Sequence, residues 1–124
     1  MNEFPSIDRV EEMLNHIAER MPQEFYEELN GGIALLPQTE MHGESRPGHP
    51  IYIMGRYERD LLGNRIVLYY GSFRAVYPYA DEKKLYDALQ HTLSHEFRHH
   101  MEMRAGVKDL ILWDEEQMKR YRGE

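Results

Sequence analysis

The chain has 124 residues, with 15 Lys and Arg against 22 Asp and Glu, seven His and no Cys. A formal charge of −7 disfavours both a phosphate-neutralising nucleic-acid binder and a polybasic membrane-surface protein. Without cysteine there are no disulfides, thiolate metal sites or cysteine nucleophiles, so any metal held here sits on His and carboxylates.

The length suits one domain over residues 1–124, and 41% hydrophobic residues suffice for a core. No apolar run is long enough to span a bilayer, and the first residues lack a basic-then-apolar leader. The expectation is a soluble, cytoplasmic protein. Ser6, after Pro5, is placed to cap a helix running to about Met21. Its apolar residues Val10, Met13, Leu14, Ile17, Ala18 and Met21 recur at i, i+3, i+4. Pro22 opens a second short helix with Phe25, Tyr26 and Leu29, stopped by Asn30-Gly31-Gly32.

The period then changes. Ile33–Leu36 predicts a short buried strand ended by Pro37, and Gln38–Pro50, rich in Gly and Pro, predicts an exposed loop. Ile51–Arg59 and Arg65–Phe73 flank Leu61-Leu62-Gly63-Asn64, which predicts an antiparallel hairpin. Asp81 is a good cap for a long helix from about Glu82 to Arg104, ended by Ala105-Gly106. Asp114-x-x-Gln117 has capping-box form and predicts a final short helix.

On a helical wheel, Leu85, Tyr86, Leu89, Leu93, Phe97 and His100 share one arc of the long helix. A neighbouring stripe carries Ala88, His95 and His99, with His91 and Glu102 at its margin. His95-Glu96-Phe97-Arg98-His99 is an H-E-x-x-H sequence. Residues four apart stack one turn above each other, so both imidazoles can reach one ion. Glu96 is rotated about 100° from His95, which suits a base acting on a metal-bound water rather than a ligand.

The other histidines have plainer readings. His100 points into the apolar arc and is expected to be a buried, hydrogen-bonded core residue. His91, His42 and His49 read as surface groups, and His16 has no partner visible in sequence. Zinc needs a third protein ligand, and Glu102, Asp109, Asp114, Glu115 and Glu116 are the downstream candidates. Glu102 suits an ion pair with Arg98 better, and spacing does not choose among the rest. Tyr69, Tyr70, Arg74, Tyr77 and Tyr79 are donors that could face an oxyanion, but with 9 Tyr most are packing residues.

The run from His95 through Asp109 to Asp114-Glu115-Glu116 resembles the minimal-zincin bacterial metallopeptidase family. Asn30–Ile33 and Ile66–Phe73 resemble further segments of it, so the likeness covers nearly the whole chain. The family's commoner pattern is H-E-x-x-H-x-x-G-x-x-D; here Glu102 replaces the Gly and a longer stretch precedes the acids. The resemblance implies His95 and His99 as zinc ligands, Asp114 ahead of Asp109 as the third, and Glu96 as base. It also implies an α+β minimal zincin-like fold. In that fold a small mixed or antiparallel sheet packs on a long active-site helix, with supporting N-terminal helices. The sheet's edge strand, from Ile51–Arg59 or Arg65–Phe73, would line the cleft and pair with an extended peptide. The leading expectation is therefore a zinc metallopeptidase acting on a peptide or protein, with no nucleic-acid or membrane partner. Its rival is a non-catalytic metal-binding module that captures a peptide or a partner strand. A hydrolase of non-peptide amides is indistinguishable from the first by sequence.

Overall fold

The structure is a computed structural model that describes residues 3–61 and 63–121, with side chains up to 106. The fold is α+β. Helix α1 spans Ile7–Glu19, and the Ser6 hydroxyl accepts from the Arg9 N–H at 3.2 Å, as capping requires. Its stripe Val10, Met13, Leu14 and Ile17 is buried. The second helix expected after Pro22 is only a 3-10 turn, Gln23–Tyr26. Glu27 caps its C-terminus, and Glu28 beyond it adopts φ 63°.

Strand β1 is Gly32–Leu36, β2 Glu40–Met41, β3 Tyr52–Ile53, β4 Gly55–Asp60 and β5 Gly63–Tyr69. They form a three-stranded sheet in the order β1-β5-β4 and a separate pair, β2-β3. β1 runs parallel to β5, and β4 antiparallel, so the main sheet is mixed. The hairpin expected around Leu61–Asn64 is β4-β5.

Two differences concern the middle of the chain. Gln38–Pro50 is not simply a loop: Glu40 and Met41 pair with Ile53 and Tyr52, and Arg46 bridges His49. Arg46-Pro47-Gly48-His49 closes that excursion as a tight turn, with Gly48 at φ 78° where a side chain would be strained. The second difference is that Tyr70–Val76 is a helix, α2, rather than the end of a strand. Aromatic residues favour a strand locally, yet buried Ser72 both accepts from the Glu40 N–H and donates to the Glu40 carbonyl. That tertiary pairing turns the chain off the sheet and overrides propensity.

Helix α3 spans Glu82–Tyr121, and Asp81 caps it by accepting from the Lys84 N–H at 2.8 Å. It does not end at Ala105-Gly106, and no separate helix starts at Asp114, which lies inside it. An interior Gly costs a helix only about 1 kcal/mol, which the helix-forming residues on either side outweigh. Leu85, Leu89, Leu93 and Phe97 pack with the α1 stripe, with Phe73 of α2 and with Ile66 and Leu68 of β5. The core thus lies between the sheet and a helical layer, and it seats the Leu85–Phe97 part of α3 against the sheet. No helix among the described residues is long and apolar enough to cross a membrane.

Candidate metal centre

His95 and His99 stand one turn apart on α3 and both are exposed. Their Nε2 atoms approach to 3.0 Å, with the rings edge-on at a centroid separation of 4.6 Å. Two nitrogens bound to one tetrahedral zinc at ~2.0–2.1 Å stand about 3.3 Å apart, so this pair is nearly at chelating distance. Among the described residues no third His, Cys, Asp or Glu joins them in a metal-holding group. The side chain of Asp114, expected as third ligand, lies outside the described residues, as do those of Asp109, Glu115 and Glu116. Glu102 instead faces Arg98 at 3.6 Å, the expected ion pair.

Glu96 points to the flank of α3 nearest the sheet and is only 6% exposed. Burial pushes its carboxyl above the ordinary range, while His99, His95 and the Tyr57 backbone N–H draw it back. Burial prevails. The helix can lie this close to β4 because residue 55 is glycine: a Cβ there would sit 2.9 Å from Thr92 Cγ2 and 3.2 Å from the Val67 carbonyl oxygen. Thr92 is one turn before Glu96, so Gly55 sets the height of the base against the strand.

Strand β4 is the last in its sheet, so one of its edges is unpaired by strand. The Tyr69 N–H donates to the Met54 carbonyl, which fixes the alternation along the antiparallel pair. Gly55, Tyr57 and Arg59 therefore turn their backbone groups to the open edge, and the Tyr57 N–H there meets Glu96. A groove of about 530 Å³ runs between this edge and α3, walled by Gly55, Tyr57, Arg59, His95, Glu96 and His99. Of the two edge candidates, Ile51–Arg59 is the one that supplies it.

His100 is 0% exposed, and both its nitrogens are used. Nε2 lies 2.7 Å from the Glu27 carbonyl, which only accepts, so Nε2 carries the hydrogen. Nδ1 then accepts from the Tyr57 hydroxyl at 2.6 Å. This is the buried core histidine expected from the wheel, and it fastens β4, α3 and the turn after Tyr26 together. Tyr57→Phe strands a buried Nδ1 without a donor and is expected to cost about 1–3 kcal/mol. A shift in urea midpoint at unchanged slope measures it.

The remaining candidates fall elsewhere. His91 and His49 are exposed, and exposed His42 accepts from the Glu44 N–H at 3.0 Å. His16 does have a partner, the Tyr86 hydroxyl at 2.8 Å. Tyr69 is buried, the Tyr70 hydroxyl donates to the Pro5 carbonyl, and Tyr79 is exposed. None of these, nor Arg74 or Tyr77, walls the groove. Tyr57 and Arg59 were not singled out in sequence, although the alternation Gly55, Tyr57, Arg59 carried a signal for them.

A family model described as zincin-like metallopeptidase matches residues 9–121. Among solved structures, a conserved hypothetical protein from Thermo thermophilus is similar, with a TM-score of 0.69 and 26% identity. The match covers 82% of this chain and 99% of that one. Among curated proteins none matches.

Proposed function

We propose, from the premise that the chain belongs to the zincin-like metallopeptidase family, that it hydrolyses peptide bonds with His95 and His99 holding zinc. The observation that carries the reading is the His pair converging to 3.0 Å beside a buried carboxylate and an open strand edge. The donor set of two imidazoles and no thiolate fits zinc. Zinc bound there supplies Lewis acidity, polarising a carbonyl and lowering the pKa of water towards about 7. The edge of β4 aligns an extended substrate through the backbone groups of Gly55 and Arg59 and the Tyr57 carbonyl, the Tyr57 N–H being taken by Glu96. Glu96 takes the proton of the attacking water on its carboxylate and returns it to the leaving amine nitrogen. The Tyr57 N–H holds that carboxylate in place between the two transfers.

Asp114 is our candidate for the third ligand, and it carries a condition. On an uninterrupted helix its Cα stands roughly 22 Å beyond that of His99, at about 1.5 Å per residue. Ligation by Asp114 therefore requires the chain to turn back after Gly106.

The second reading is a metal-binding module that captures a peptide without cutting it. It is favoured by the two-donor set among the described residues. Protein freed of metal and reloaded with zinc should cleave members of a broad peptide library, and a chelator should stop it. Stoichiometric zinc without any cleavage would establish the module instead.

A further inference from the structure

We infer that the groove selects a peptide bearing a carboxylate two residues along from the bond at Glu96, and that Arg59 recognises it. This rests on the groove being a peptide cleft and adds a substrate class to that reading. The side chains of Gly55, Tyr57 and Arg59 share the face of β4 that α3 covers, because Gly55 abuts Thr92 and the Tyr57 hydroxyl reaches His100. Arg59 lies about 6.8 Å along the strand from Tyr57 and walls the groove together with His99 and Met103. A strand added to this edge sets its residues opposite these three, with Cβ atoms roughly 4.5–5.5 Å apart on the same face. The residue opposite Tyr57 is then beside Glu96 and the His pair, and the one opposite Arg59 is two positions further.

Charge says what that residue is. Arg59 is exposed and has no ion-pair or hydrogen-bond partner among the described residues. The neighbouring cations are engaged: Arg56 faces Glu40 at 3.9 Å and Arg98 faces Glu102. The one acid walling the groove is Glu96, which is held on the Tyr57 N–H. In a chain of net charge −7, the groove thus presents a free guanidinium at a cross-strand position. The matching group is a carboxylate, either an Asp or Glu side chain or the peptide's own C-terminus.

The test is a series of otherwise identical fluorescent peptides with Glu, Gln or Lys moved along the sequence, each with a free or amidated C-terminus. Cleavage is followed with zinc-loaded parent and Arg59→Glu protein, and binding by anisotropy with Glu96→Gln and with the Glu96→Gln, Arg59→Glu double variant. Glu at one position, or the free C-terminus, should raise kcat/KM and affinity about fivefold over its neutral counterpart. Arg59→Glu should turn the preference towards Lys. The inference is overturned if acidic and neutral peptides behave alike at every position, if Arg59→Glu keeps the parent's preference, or if no peptide binds. Acid-selective binding without cleavage would leave it standing and remove the hydrolytic reading. Unselective cleavage would do the reverse.

Discussion

Glu96→Gln is expected to lower peptide hydrolysis about a thousandfold, roughly 4 kcal/mol of barrier, while zinc content stays near that of the parent. Gln keeps the shape and still accepts from the Tyr57 N–H, but it cannot take a proton. The ligands are untouched, so loss of both metal and activity would point to a collapsed site and not to a missing base. Full activity in this variant would remove Glu96 from the mechanism. The same substitution should leave a second mark on metal-free protein. Burial raises the folded-state pKa of Glu96 above its ordinary 4.5. Its protonated form is therefore the one the fold tolerates: that stability is complete below the ordinary value and is lost as pH rises through the raised one. Metal-free Glu96→Gln should melt above the parent at neutral pH, and the gap should close near pH 4.

His99→Ala is expected to weaken zinc binding by more than a hundredfold, because groups one step removed from a metal are already worth about 10–100-fold. His99 is exposed, so metal-free stability should move by less than about 0.5 kcal/mol. A competition titration against a chromogenic chelator reads the affinity, and thermal melts read the stability. Unchanged zinc affinity would end the proposed site. Running Asp114→Ala beside it settles the condition on the third ligand. A loss of similar size means that the chain turns after Gly106 to bring Asp114 back, and no loss means that it does not.

The parts of this protein legible in its sequence are those set by short repeats. The 3.6-residue period separated the buried Leu85, Leu89, Leu93, Phe97 arc from the His95 and His99 stripe, and it placed His100 in the core. The caps at Ser6 and Asp81 needed only a side-chain oxygen three residues before an N–H. H-E-x-x-H spacing alone brought two imidazoles together, since the helix that carries them is local. The misjudged parts depended on partners far along the chain. Tyr70–Phe73 looked like strand until Ser72 met Glu40, and Gly106 looked like a helix end although flanking residues carried the helix through it.

The absence of cysteine and one helical His pair with a Glu between them confine any metal chemistry to imidazole and carboxylate before any folding is considered. Which edge faces that helix was decided in three dimensions. β5 pairs on both sides and leaves β4 open, Gly55 lets it lie on α3, and Tyr57 bonds His100 across 43 residues of sequence. Local periodicity orients a side chain on its own element. The packing of elements against one another determines what that side chain meets.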